Sequence, residues 1–79
     1  KGVYETVKVG TTVTIQNIET EQELTYTILG VHDSDPNNGI ISFKSPLGGE
    51  LLNREVGDEV EIQAGNNVSE YEILKIVAN

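Results

Sequence analysis

The residues of this chain whose types could support chemistry are its acids, its single histidine and one serine–proline pair. Asp33, Asp35 and Asn37 alternate along a short acidic segment, as oxygen ligands do in a calcium-binding loop. A calcium loop of the EF-hand type requires glycine at its sixth position and glutamate at its twelfth, where this chain has Asn38 and Lys44. The pattern therefore favours an acidic turn over a calcium site.

Hydrolytic chemistry finds little support in the remaining polar residues. A Ser-His-Asp triad would have to use His32, and no serine of the chain lies in a Gly-x-Ser-x-Gly elbow. Paired carboxylates could serve a hydrolase, but the acid clusters at residues 19–23 and 59–61 fall on a predicted hairpin loop and an outward strand face. We expect no catalytic residue, metal ion or cofactor in this chain.

The Ser45-Pro46 corner is the best candidate for a functional surface. Ser45 can accept a hydrogen bond from a free amide of a first helical turn, and Pro46 at the first helical position loses no hydrogen bond. The corner would expose a rigid apolar residue at a helix start beside an acidic loop. The alternative is that this pair only initiates a helix, which is the interpretation that composition alone favours.

Composition limits the classes of partner. The chain has 79 residues, enough for one domain, and a net charge of −8 from 13 acids and 5 scattered bases. This balance opposes binding to a phosphate backbone and indicates a solubilising surface or a basic protein partner. The chain has no cysteine, which favours a reducing compartment, and no apolar run of the roughly 20 residues that a membrane helix needs.

The elements that must position these residues are five strands and one short helix, and the class is α+β. The predicted strands cover residues 11–18, 24–29, 40–43, 59–63 and 70–77, and the helix begins at Pro46 and ends by residues 53–55. Hairpin-length connections predict a mostly antiparallel sheet. The last strand has Ile73 and Val77 on one predicted face and Leu74 and Ile76 on the other, so we expect it to be central or covered on both sides. Residues 1–9 are interpreted as a leader toward a missing N-terminal region, and residues 10–79 as the domain.

Short motifs along the domain occur in an order that resembles the C-terminal domain of the bacterial Gre transcript-cleavage factors. The matching segments are Gly10-Thr11-Thr12-Val13-Thr14-Ile15, Gly30, Asp33-Ser34-Asp35, Ile41-Ser42-Phe43-Lys44-Ser45-Pro46-Leu47-Gly48, Leu51-Leu52, Val56-Gly57-Asp58-Glu59-Val60 and Tyr71-Glu72-Ile73. The resemblance implies an FKBP-like fold, in which a curved, mostly antiparallel sheet of five strands wraps around one short helix.

The resemblance also implies a function, which is docking onto bacterial RNA polymerase at the coiled-coil rim of its secondary channel. The residues that would contribute to this contact are Asp35, Ser45 and Pro46. Pro46 would give apolar contact with little loss of entropy, and Asp35 could pair with a basic side chain on the rim. The family often has Arg-Ala where this chain has Gly49-Glu50, which replaces a cation by an anion beside the corner.

Catalysis is not implied for this chain. In the full factors a long N-terminal coiled coil carries the acids that promote RNA cleavage, and nothing here resembles it. We therefore expect this chain to bind RNA polymerase without stimulating cleavage. The resemblance also implies a cytoplasmic protein. A close variant is the C-terminal domain of a Gre-like polymerase regulator that lacks cleavage activity. Two further alternatives are a prolyl isomerase, which would need more aromatic residues than Phe43 and three tyrosines, and an interaction module unrelated to transcription.

Overall fold

The strands and the helix follow the order that the sequence predicts. The computed structural model describes residues 6–30, 32 and 34–78, except for the side chains of residues 36 and 64. The elements are β1 Thr11–Asn17, β2 Glu23–Leu29, a 3₁₀ turn Pro36–Asn38, β3 Ile40–Ser42, α1 Pro46–Leu51, β4 Glu59–Ala64 and β5 Asn67–Ala78.

The five strands form one sheet in the order β3-β2-β1-β5-β4. Every pairing is antiparallel except that of β2 with β3, which is parallel. The helix α1 packs against both edge strands, β3 and β4, so the sheet curls around it. The predicted α+β class, with a curved and mostly antiparallel five-stranded sheet and one short helix, is therefore confirmed.

Alternating apolar residues of the strands build the core on the helix side of the sheet. In β1, Val13 and Ile15 are fully buried, while Thr12 and Thr14, which alternate with them, are only partly buried. The buried apolar residues of the described chain are Val7, Val13, Ile15, Ile28, Ile41, Leu51, Val60, Ile73 and Ile76. Val7, which precedes β1, is tied in by its backbone: its N–H donates to the Arg54 carbonyl at 2.8 Å, and its carbonyl accepts from Asn53 N–H at 2.8 Å.

β5 was predicted to be central or covered on both sides; it lies inside the sheet, between β1 and β4, but the prediction of its faces is wrong. The pairing of β5 with β1 shifts by one residue, so that Ile15 lies opposite Ile73 while Val13 lies opposite Ile76. A β-bulge of this kind inserts one unpaired residue and reverses the alternation of faces beyond it. Ile73 and Ile76 consequently both enter the core, and Val77 is 44% exposed.

The described residues contain no helix with the length and apolarity that crossing a membrane requires. The helix α1 has six residues and buries Gly48 and Leu51. Its main role in the fold is to close the concave side of the sheet through Leu51, which has no exposed surface.

Candidate functional site

The Ser45 side chain connects β3 to α1 at the corner between them. Ser45 is the N-cap of α1, and its Oγ accepts a hydrogen bond from Gly48 N–H at 3.0 Å. The same hydroxyl donates to the Ser42 carbonyl oxygen at 2.7 Å. Because the hydroxyl both donates and accepts a hydrogen bond within the chain, Ser45 fixes the direction in which the helix leaves β3. Pro46, the first helical residue, is exposed to solvent.

Close packing beneath this corner requires glycine at position 48. Gly48 is buried, and a Cβ atom built on it would collide with the backbone carbonyl oxygen of Ser42. The first turn of α1 therefore lies directly on the end of β3. This contact packs the first turn of α1 against β3 and leaves Pro46 at the surface.

The second candidate residue, Asp35, is tied to the beginning of β3. Its N–H donates to the Ile40 carbonyl at 2.7 Å, and its own carbonyl accepts from Ile40 N–H at 3.0 Å. The side chain of Asp35 is exposed, and its Oδ2 accepts a hydrogen bond from Asn38 Nδ2 at 2.8 Å. The carboxylate is thus held in one place by its own loop while remaining accessible to a partner.

The strand β3 sets the distance between the two parts of the predicted site. Asp35 pairs with Ile40 at one end of β3, and Ser45 N–H donates to the Ser42 carbonyl at the other end, at 3.0 Å. Ile40 and Ser42 are two residues apart, which corresponds to roughly 7 Å along a strand. Because β3 is an edge strand, Asp35 and the Ser45-Pro46 corner share one edge of the sheet.

A groove of about 370 Å³ lies on the other side of Pro46, between α1 and the β4–β5 hairpin. Its walls are formed by Pro46, Glu50, Glu61, Ile62, Gln63 and Val68. Val68 is 58% exposed, and Glu50 is paired with Arg54 at 3.6 Å between Oε1 and Nη2. No sequence pattern links Ile62 or Val68 with the corner, because only the curl of the sheet brings β4 beside the helix.

The sequence also suggested a calcium-like loop, a histidine and paired carboxylates as possible sites. Asp33, the first residue of the calcium-like pattern, lies outside the described residues. Over the described ranges, no group of three or more His, Asp or Glu side chains is arranged to hold a metal ion. His32 is exposed, and Glu59 and Glu61 project from the outer face of β4, where they lie opposite Glu72 and Glu70 of β5.

Comparison with known sequences identifies the family. A sequence profile described as "Transcription elongation factor, GreA/GreB, C-term" matches residues 3–78. The transcription elongation factor GreA of Maricaulis maris is 44% identical over 72 residues, which are 91% of this chain and 46% of that protein. GreA of Helicobacter pylori strain Shi470 is 44% identical over 70 residues, 89% of this chain and 43% of that protein. The chain therefore spans less than half the length of these relatives.

Solved structures show the same fold. A GreA/GreB elongation factor from Nitrosomonas europaea superposes with a TM-score of 0.80 at 27% identity, over 92% of this chain and 61% of that one. Gfh1 of Thermus aquaticus superposes with a TM-score of 0.87 at 24% identity, over 99% of this chain and 52% of that one. At this low sequence identity, the superposition supports a shared fold and nothing further. From the profile match over nearly its whole length, the chain belongs to the GreA/GreB family of transcription elongation factors and corresponds to the C-terminal domain of that family.

Proposed function

We propose that this chain is the RNA-polymerase-docking domain of a Gre-type elongation factor and anchors the factor at the coiled-coil rim of the polymerase secondary channel. The observation that carries the proposal is the placement of an exposed carboxylate and an exposed proline ring at the two ends of one edge strand, β3. Family membership supports the role in transcription elongation.

The chemistry of the contact follows from the two side chains. The Pro46 ring has a fixed φ and few rotamers, so covering it with an apolar surface costs little conformational entropy. The Asp35 carboxylate is held by Asn38 and offers its remaining lone pairs to a lysine or arginine of the rim. Ser45 acts by positioning, because its hydroxyl is already engaged with Ser42 and Gly48.

The charge of the whole chain supports a basic partner surface. The net charge is −8, and Glu50 and Glu61 are among the residues that line the groove beside Pro46. Such a field accelerates encounter with a basic surface and opposes approach to the phosphates of nucleic acid. The domain accordingly binds RNA polymerase in the cytoplasm and makes no direct contact with RNA, DNA or membrane.

The proposal assigns binding to this domain and no catalytic step. A docking surface built from β3 and the first turn of α1 would serve equally in a factor that promotes RNA cleavage and in a regulator that does not. The part of the protein that decides between these outputs would be a different one, and Asp35, Ser45 and Pro46 would have the same role in both.

The test is a binding titration of this domain against bacterial core RNA polymerase at moderate salt. We expect Asp35→Ala and Pro46→Ala each to weaken binding by about 1 kcal/mol, roughly fivefold in Kd. Glu55→Ala is the matched control for Asp35, because it removes an exposed carboxylate that lies outside the proposed surface. Val77→Ala is the control for Pro46, because it trims an exposed apolar residue on a distant strand.

The outcomes separate the partner from the site. Saturable binding that is weakened by the two site variants and unaffected by the two controls supports the proposal. Binding that is indifferent to Asp35→Ala and Pro46→Ala retains polymerase as the partner and rejects this surface. Absence of binding by the correctly folded domain at tens of micromolar (a free energy weaker than about −6 kcal/mol) rejects autonomous docking.

A further inference from the structure

The loop that holds Asp35 contains a chemically reactive dipeptide, Asn38-Gly39. We propose that Asn38 is a modification site of this domain, where deamidation without an enzyme yields aspartate and isoaspartate. The reaction is independent of polymerase docking, and only water is needed as a co-reactant.

The atoms of the reaction are all present in the dipeptide. The backbone nitrogen of Gly39 attacks Cγ of Asn38, so that an N–Cγ bond forms and the Cγ–Nδ2 bond breaks. Ammonia leaves with the proton from the Gly39 nitrogen, and the product is a five-membered succinimide. Water then adds to one of the two ring carbonyls. Opening of the ring on one side gives aspartate, and opening on the other gives isoaspartate, in which the main chain runs through Cβ and Cγ.

Position 38 is favoured over the other asparagines by the glycine that follows it. Glycine has no Cβ to obstruct the approach of its nitrogen to Cγ, and Asn38 is the one asparagine in the sequence that precedes glycine. Its side chain is exposed, so water reaches the ring. Asn53 and Asn66 are also exposed, but they precede Arg54 and Asn67, whose side chains crowd the attacking nitrogen.

The surrounding contacts determine what the modification does. Asn38 Nδ2 donates to Asp35 Oδ2 at 2.8 Å, and either product replaces this donor by a carboxylate, so attraction becomes repulsion beside Asp35. Isoaspartate also adds one atom to the main chain immediately before Gly39. The Gly39 carbonyl accepts from Thr27 N–H at 2.7 Å, and the next residue, Ile40, pairs with Asp35. The longer chain therefore loosens the start of β3.

The experiment incubates the folded domain at mildly alkaline pH and body temperature, followed by peptide mapping with mass spectrometry. Each event adds about 1 Da, because ammonia is lost and water is gained. We expect residue 38 to be modified about tenfold faster than Asn53 or Asn66, with both aspartate and isoaspartate products, since glycine alone leaves the attack unhindered. The fraction that contains isoaspartate should exchange the amide hydrogens of Thr27 and Ile40 faster than the unmodified chain.

Asn38→Gln supplies the matched variant, because it keeps the amide and requires a slower six-membered ring. Early mass gain that disappears in Asn38→Gln supports the proposal. A rate at Asn38 no higher than that at Asn53 and Asn66, or mass gain that persists in Asn38→Gln, overturns it. Unchanged exchange at Thr27 and Ile40 in the isoaspartate fraction would refute the predicted effect on β3.

Discussion

At the scale of single residues, the two glycines of α1 are equivalent in the sequence and different in the structure. Each costs a helix about 1 kcal/mol relative to alanine when its surroundings are ignored. Gly48 is buried against the Ser42 carbonyl, whereas a Cβ on Gly49 would have the Phe43 carbonyl oxygen as its nearest neighbour, at 3.6 Å. Packing therefore requires glycine at position 48, whereas Gly49 only lowers the stability of the helix.

We accordingly expect Gly48→Ala and Gly49→Ala to have opposite effects on stability. Gly48→Ala should destabilise the domain by about 2 kcal/mol or more, because the new methyl group pushes α1 away from β3. Gly49→Ala should stabilise it by about 0.5–1 kcal/mol, as alanine does at an exposed helical site. Urea unfolding followed by circular dichroism measures both, and stabilisation by Gly48→Ala would contradict the close contact with Ser42.

At the scale of elements, the bulge in β5 decides which apolar residues of the longest strand belong to the core. Ile76 is 4% exposed and Val77 is 44% exposed, although strict alternation from Ile73 would assign them the reverse way. The shift lies opposite Thr14 and Ile15 of β1. Nothing in the local sequence of β5 marks the bulge. Apolar residues fall on both faces of the strand whether the alternation continues unbroken or shifts by one residue.

This arrangement predicts unequal costs for two neighbouring truncations in β5. Ile76→Ala should destabilise the domain by about 2–4 kcal/mol, since it removes buried methyl groups that pack opposite Val13. Val77→Ala should cost about 0.5 kcal/mol or less, because its side chain is already largely in solvent. Thermal or denaturant unfolding compares the two variants, and a larger loss for Val77→Ala would mean that β5 has no bulge here.

At the scale of the whole molecule, the outer face of the sheet concentrates negative charge. Glu59 lies opposite Glu72, and Glu61 lies opposite Glu70, on the strands β4 and β5. Like charges directly opposite each other destabilise a sheet, and within the described part of the chain none of these four glutamates has a cationic partner. The net charge of −8 therefore falls partly on one surface rather than being evenly spread.

Glu61→Lys should therefore stabilise the domain by about 0.2–1 kcal/mol, because repulsion from Glu70 becomes attraction. The gain should shrink as sodium chloride is raised, since salt screens exposed charges. Glu55→Lys is the control: it makes the same change of net charge at an exposed position outside the named strands. Equal stabilisation by both variants would assign the effect to net charge and not to the pairing of Glu61 with Glu70.

The sequence by itself determined the elements and their order, the helix start at Ser45-Pro46 and the family to which the chain belongs. These features depend on neighbours along the chain: alternation of apolar residues gives the strands, and the cap uses atoms only three residues apart. The abundance of apolar residues in β5 also indicated a position inside the sheet, and β5 lies between β1 and β4.

Tertiary structure alone decided the parallel pairing of β3, the bulge in β5, the need for Gly48 and the groove that joins Pro46 to Val68. The pairing, the bulge and the groove depend on residues that are distant in sequence, and the need for Gly48 depends on how the first turn of α1 packs on Ser42. The joint placement of Asp35 and Pro46 belongs to the same class, because their separation is set by the hydrogen bonds at the two ends of β3. Local patterns carry no information about such pairings. Those patterns and the family resemblance named the candidate residues without showing that one edge strand holds them together.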